Sequence, residues 1–330
     1  MQNQMRASVT VVIVNYKVAP LVIECLRSLE PQVQELRTAQ VVVVENDSKD
    51  GSFEALTEAV RANGWDAWVK IVASDKNGGY SYGNNTGVKY THENQCETDY
   101  YWLLNPDTLA KPGAMNQLVK FMEKHPEVGI CGSSIEMEDG TLWPYCFRFP
   151  NVIGEFDRAL RVGIVARLFS RFRVLREMSG DNAQVDWLPG ASMMVRATTF
   201  NDVGLLDDDY FLYYEETDFC LNSLRKGWQC WYVPDSRIMH IAGASTGVTG
   251  VKNKANRLPQ YWFDSRKRYF VKNHGVVYAA LADIAWLSGY TLWYLRRLVT
   301  RRPNNDPERL FSDSFKNSVF IRPLLRSSLR

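Results

Sequence analysis

Four apolar runs recur through the first hundred residues: Val9–Val14, Val41–Val44, Trp68–Ala73 and Tyr100–Leu104. They are nearly continuous rather than alternating, which is the pattern of strands buried on both faces. Helical periodicity separates several of them. Pro20–Leu29 places Leu21, Cys25, Leu26 and Leu29 on one face, and Ser52–Val60 follows an Asp50/Ser52 cap. Met115, Leu118, Val119 and Met122 repeat at i, i+3, i+4, i+7. The alternation predicts an α/β fold with a doubly wound sheet. From about residue 128 the pattern becomes mixed, with short strands at Val128–Cys131, Ser192–Val195 and Cys230–Val233 around an irregular basic stretch. After about residue 255 it is helical and basic.

At 330 residues the chain is long enough for one large α/β domain, alone or with an appendage. Charge adds an asymmetry that the net value of +2 hides. Residues 265–330 hold 13 Lys/Arg against 4 Asp/Glu, whereas the preceding residues hold 26 against 33. A basic tail of this kind is built to meet something anionic. Leu160–Arg176 carries five arginines and no acid, interleaved with Ile164, Val165, Leu168, Phe169, Phe172, Val174 and Leu175. Gly275–Leu295 is mostly apolar but contains Asp283, Ser288 and Gly289, with Arg296, Arg297, Arg301 and Arg302 just after it. A spanning helix needs about 20 predominantly apolar residues. The expectation is therefore peripheral contact with an anionic membrane through an arginine-anchored interfacial helix. The alternative is a helix packed on the rest of the protein or in a homodimer interface. Nucleic-acid binding is not expected, because the tail is rich in Leu, Trp and Tyr at helical spacing and carries no reader motif. The six cysteines (25, 96, 131, 146, 220, 230) form no C-x-x-C pair and no zinc-like spacing, which fits free thiols in a reducing cytoplasm. Val9–Val14 is too short for a signal-peptide core. The expected location is the cytoplasm, at the inner face of the cell membrane.

Open α/β sheets bind ligands outside the carboxyl ends of their strands, and here those ends are polar. Strand one leaves through Val14-Asn15-Tyr16, strand two through Glu45-Asn46-Asp47 and strand four through Leu104-Asn105-Pro106-Asp107-Thr108. Strand three leads into Asp75-Lys76-Asn77-Gly78-Gly79-Tyr80-Ser81-Tyr82-Gly83-Asn84-Asn85, read as a flexible loop whose backbone can approach a nucleotide sugar closely. Ordinary turns favour the same residue types. No Walker loop is present and no G-x-G-x-x-G follows strand one, which argues against a P-loop NTPase and a Rossmann dehydrogenase. Tyr213–Leu221 opens a short helix with Leu221 and Leu224 inward and Gly227 as its stop. Its three acids, Glu215, Glu216 and Asp218, either complement the helix dipole or do chemistry. His240 lies between apolar neighbours just before Ala242–Gly247, as a core histidine or as a metal ligand beside a phosphate site.

Taken in order, these segments resemble the inverting family-2 glycosyltransferases with the GT-A fold, especially the bacterial rhamnosyltransferase-like branch that builds surface polysaccharides. The matching stretches are Val12–Tyr16, Val44–Ser52, Asn77–Tyr80 with Gly83–Asn85, Leu103–Asp107, Asp186–Ala191, Glu215–Leu221 and His240–Ser245, within roughly residues 8–275. The resemblance implies a Rossmann-like GT-A sheet, mixed but mostly parallel, with flanking helices and a helical basic C-terminal segment. It divides the chain into a catalytic domain over 1–254, with a donor half to about 125 and an acceptor half from about 126, and a C-terminal region over 255–330. Asp107 stands in the D-x-D-type motif and His240 at a second ligand position, so both would bind Mg²⁺ or Mn²⁺. Glu216 matches the catalytic base, one methylene longer than the usual Asp, which keeps Asp218 in play as a second catalytic candidate. Glu45 takes the position of a base-contacting Asp, and that change leaves the nucleotide open. Val14, Asn15, Tyr16, Asp47, Asn77, Gly79, Asn84 and Asn105 complete the implied donor site. Trp187 and Gly190 fall on the acceptor side, where an indole face stacks on sugar or simply fills a core.

The implied activity is metal-dependent, inverting transfer of one sugar from a nucleotide-diphosphate donor, dTDP-rhamnose or a UDP-sugar, to a saccharide or lipid-linked acceptor. A non-catalytic nucleotide-sugar or carbohydrate-binding protein is the alternative, and retention of Asp107, Glu216 and His240 together argues against it. A pyrophosphorylase would carry a Gly-rich basic loop where Asn15–Pro20 stands, and a processive synthase a Q-x-x-R-W signature where Gln260-Tyr261-Trp262 stands.

Overall fold

The computed structural model describes residues 7–143, 145–241, 257–301 and 303–322. Arg302 and the Ala242–Gly247 loop read after His240 lie outside these residues. The first half of the chain alternates strand and helix: β1 (Val9–Asn15), α1 (Ala19–Glu35), β2 (Ala39–Glu45), α2 (Ser52–Ala62), β3 (Val69–Ala73), α3 (Gly79–Glu93) and β4 (Tyr100–Leu104). These strands are parallel in the order β3-β2-β1-β4, with Val9 in register with both Ala39 and Tyr100. Both faces of this sheet are covered, which explains the unbroken apolar runs. Val11 and Ile13 pack with Leu26, Trp102 and Met115 on one side, while Val12 packs with Val88 and Leu103 on the other.

The second half extends the sheet. It comprises β5 (Thr108–Ala110), α4 (Ala114–Lys124), β6 (Val128–Glu136), β7 (Leu142–Trp143), β8 (Tyr145–Phe147), α5 (Val152–Leu160), α6 (Gly163–Leu168), β9 (Leu175–Glu177), β10 (Ala183–Val185), β11 (Ser192–Arg196), α7 (Ala197–Val203), α8 (Glu215–Arg225) and β12 (Gln229–His240). Antiparallel β11 lies between β4 and β6, β12 runs parallel to β6, and β10 closes the edge. The result is a mixed sheet, largely parallel through its N-terminal half, flanked by helices as expected.

Two local readings change. The segment from Asn77 to Asn85, expected to be a flexible glycine loop, is mostly the first turns of α3. Its glycines serve contact rather than freedom: a Cβ on Gly83 would lie 2.5 Å from Val14 Cγ1, and one on Gly87 2.5 Å from Val12 Cγ1. The helix can thus lie directly on β1. Helix α1 also runs on through Pro31 to Glu35, because the extra turn buries Gln32 and Val33 and the Gln32 amide oxygen accepts the Met115 N–H at 2.8 Å.

The C-terminal region is α9 (Gln260–Thr300) and α10 (Leu310–Lys316), with α9 broken at Gly275, where φ is +85°. Its first half buries Tyr269, Phe270 and Val271 beside α8, and its second half lays Ala282, Ala285, Trp286 and Gly289 on α5. At the junction Arg266 bridges two buried acids, Glu155 at 2.8 Å and Asp283 at 2.6 Å. Burial alone would raise the Glu155 carboxyl, but Arg158 and Arg266 hold it below the usual range.

Candidate active site

The carboxyl ends of β1 and β2 are tied to one another. Buried Asn15 accepts the Val18 N–H through its amide oxygen and donates to Ser48 Oγ, and the Ser48 N–H returns to Glu45 Oε1 at 2.9 Å. Glu45 and Asp47 line one wall of an open hollow with Lys49, Gly51, Ser52 and Phe53. Asp47, in the left-handed region at φ 56°, pairs with Lys49 at 3.1 Å. Next to them Asn46 donates to the Asn77 side chain and to the Gly79 carbonyl. Val14 packs under α3, and Tyr16 lies beside Lys17. Asn84 spends its amide inside its own helix on the Tyr80 carbonyl, while Asn85 clamps the chain opposite, bonding Leu206 through both backbone groups.

Asp107 and His240 come together because β5 doubles back on β12, pairing Thr108 with His240, and the Ile241 N–H closes on the Asp107 carbonyl at 2.9 Å. The same imidazole nitrogen, Nε2, lies 3.2 Å from Asp107 Oδ1 and 3.4 Å from the Asn105 amide nitrogen. Asp107 is buried, yet Oδ1 receives no hydrogen bond of good geometry. Leaving a buried carboxylate oxygen unsatisfied costs free energy of ~1–3 kcal/mol or more, so a missing partner is called for. A carboxylate oxygen and an imidazole nitrogen converging on one space fit a divalent cation. Among the described residues no third His, Cys, Asp or Glu joins them.

The acidic helix start faces a different neighbour. Glu215 and Glu216 open α8, and each has one carboxyl oxygen buried without a partner. Burial lifts both acids. Glu216 is pushed up to about 7, against the pull of its own N–H and that of Gly190. Glu215 rises further, because the Glu216 charge adds to burial. Asp218 is held instead by Tyr210 Oη, the Asn222 and Asn273 amides and Lys272 Nζ at 2.7 Å. Of the helix core, Leu221 is buried as expected, but Leu224 is 45% exposed.

Gly190 joins these parts. Its N–H reaches Glu216, its carbonyl accepts the Tyr80 hydroxyl at 2.8 Å, and the next residue, Ala191, accepts the Asn105 N–H at 3.1 Å. A Cβ on Gly190 would stand 2.8 Å from Tyr80 Oη. Gly79, at φ +83°, fits under the Phe211 carbonyl, which accepts the Tyr80 N–H at 2.9 Å. Tyr213 and Tyr214, both left-handed at φ 72° and 70°, then turn the chain into Glu215. Such backbone is strained for bulky residues and marks functional turns. Phe211, Tyr213 and Tyr261 form an aromatic cluster just before it. Trp187 is half-buried, one indole face stacked on Phe147 at 4.1 Å and its N–H spent on the Arg148 carbonyl.

The structure therefore links Asp107 and His240 through Asn105 to the Gly190-Ala191 step and so to Glu216 and Tyr80, while Glu45 and Asp47 line the hollow at the end of β2. Sequence reasoning missed Asn46, Tyr80 and Phe211 as connectors. Asn46 and Tyr80 stood inside the motifs that were read, but nothing local distinguished their contacts.

Residues 6–257 match the family described as glycosyltransferase like family 2. An N-acetylglucosaminyl-diphospho-decaprenol L-rhamnosyltransferase of Mycobacterium tuberculosis is 26% identical over 72% of this chain and 77% of its own length. The rhamnosyltransferase WbbL of Escherichia coli is 28% identical over 50% of this chain and 61% of its own. The crystal structure of GalNAc-T7 with UDP, GalNAc and Mn²⁺ superposes at a TM-score of 0.58 and 13% identity, covering 96% of this chain and 55% of that one, which shows a shared GT-A fold.

Proposed function

The chain belongs to the glycosyltransferase like family 2 and is a glycosyltransferase, and from that premise we propose that it moves one sugar, with inversion, from a nucleotide-diphosphate donor to a saccharide or lipid-linked saccharide. The observation that carries this reading is a pair of carboxylates, Asp107 and Glu216, each with a buried oxygen that receives no hydrogen bond; the Gly190 N–H reaches Glu216, and the Ala191 carbonyl holds Asn105, which opens the turn carrying Asp107. One faces an imidazole and the other does not, which divides the labour between them.

Glu216 is the base. It takes the proton of an acceptor hydroxyl while that oxygen forms its bond to the anomeric carbon and the bond to the diphosphate oxygen breaks. Attack from the face opposite the leaving group inverts the centre. A carboxyl lifted to about 7 is well matched to this task near neutrality. Asp218, engaged by four side chains, braces the helix instead. Asp107 and His240 would hold Mg²⁺ or Mn²⁺, which would supply charge neutralisation at the departing diphosphate. Glu45, Asp47 and Asn77 hold the nucleoside end, and buried Asn15 fixes the loop beside them through Val18 and Ser48. Phe211, Tyr213, Tyr261 and Trp187 offer aromatic surface to the acceptor. The names of the Mycobacterium and Escherichia relatives favour rhamnose, with dTDP-rhamnose as the leading donor and a UDP-sugar next.

Thermal shift with UDP, dTDP and GDP, each with and without Mn²⁺, tests the donor site. A nucleotide at 100-fold over its Kd adds about 2.7 kcal/mol of stability. One nucleotide class should stabilise the wild type only with Mn²⁺, and Asp107→Asn should lose that increment. Equal stabilisation without metal, unchanged in Asp107→Asn, contradicts the assignment.

A further inference from the structure

Beyond Gly275, α9 is amphipathic in the reverse of the usual sense. Its inner stripe packs on α5 and contains the ion-paired Asp283, and Gly289 brings the helices together, a Cβ there standing 2.7 Å from the Phe156 carbonyl. Its outer stripe, Val277, Leu281, Ile284, Leu292, Leu295 and Val299, recurs every three to eight residues, broken only by exposed Ser288 and Thr291. Val277 is 77% exposed and Val299 85%. Solvent-facing stripes of soluble helices are polar. This one is an apolar ridge of roughly 33 Å, at 1.5 Å per residue.

A second apolar element lies at the same end. Arg161, at the close of α5, sits over the Trp293 ring at 4.6 Å and pairs with Asp306 at 2.8 Å, fixing that corner on α9. Two residues later α6 begins, with Ile164 81% and Leu168 75% exposed. Arg167, Arg171, Arg296 and Arg301 in these two segments are exposed, and neither 158–176 nor 284–305 contains an acidic residue.

We propose that this face, the outer side of α9 with α6, seats the protein on an anionic lipid surface, apolar side chains among the acyl chains and arginines at the headgroups. Charge selects the occupant: a second copy would set cationic segments against each other, whereas anionic headgroups complement both segments. The helix lies along the surface rather than through it. Although Gln260–Thr300 is long and apolar enough to cross a membrane by composition, it breaks at Gly275. Pulling it off α5 would also strip Asp283 of Arg266 and of the Val319 N–H, leaving a buried charge unpaired.

The full chain is tested by flotation, without donor or acceptor, on phosphatidylcholine vesicles with and without about a third phosphatidylglycerol. The wild type should float only with the anionic vesicles and be released by alkaline carbonate. Leu281→Ser with Ile284→Ser should reduce the floated fraction about tenfold with an unchanged melting temperature. Arg296→Gln with Arg301→Gln should lower binding at low salt and make what remains less sensitive to salt. Wild type that stays unbound with both vesicles overturns the proposal. So does a wild-type dimer that the serine pair converts to monomer in sedimentation velocity, which would assign the face to a second copy. Retention after carbonate would assign a span.

Discussion

Glu216 is held half-buried, with one oxygen unpartnered and its carboxyl near 7. Because the proposed base must be ionised to work, kcat should rise with pH and level off above about 7, read from initial rates on both sides of that value. Stability runs the other way. The folded state holds this proton more tightly than the unfolded chain, whose carboxyl titrates near 4.5, so the contribution is complete below that value and is lost as pH climbs through about 7. Glu216→Gln removes the titration and should match or exceed the wild-type melting temperature at pH 8; a lower value there would contradict the burial account. At this scale much was legible. Asn105-Pro106-Asp107, His240 and Glu216 are recognisable as short motifs because each carries its own chemistry. Tyr80 was not, since its role is a hydroxyl reaching Gly190, 110 residues away, and no local pattern encodes that distance.

Elements were legible where one physical cause dominated. The buried strands β1, β2 and β4 announced themselves, because both faces are covered and their central positions form unbroken apolar runs. Helix α3 did not, because glycine was weighed for its freedom when Gly83 and Gly87, four apart, instead open a groove for β1. The same reasoning makes a prediction at this scale. Gly87→Val drives its Cβ into Val12 and should cost about 1–3 kcal/mol by overpacking, seen as a lower denaturant midpoint with an unchanged m-value. An unchanged midpoint would mean that α3 does not lie on β1 as described. The extension of α1 past Pro31 was hidden for a similar reason: its compensation, Gln32 bonding Met115, lies in another part of the chain.

Across the whole molecule, the C-terminal helix α9 is joined to α8, the helix that carries the proposed base. Lys272 bridges Asp207 at 2.6 Å and Asp218 at 2.7 Å, and Asn273 donates to Asp218 as well as receiving Arg225. This couples α9 to the start of α8, where Glu216 sits. Lys272→Gln should therefore lower kcat by on the order of tenfold through misplacement of the base while leaving the donor KM unchanged, with Lys272→Arg recovering part of the rate. Equal loss in both parameters would reduce the contact to general stability. The central claim concerns the division between binding a nucleotide sugar and taking a proton, and transfer by Glu216→Gln tests it most directly. With the donor selected by metal-dependent stabilisation and a lipid-linked saccharide as acceptor, the variant should bind donor as the wild type does and transfer ~10²–10⁴ times more slowly. Near wild-type turnover by Glu216→Gln would contradict the account.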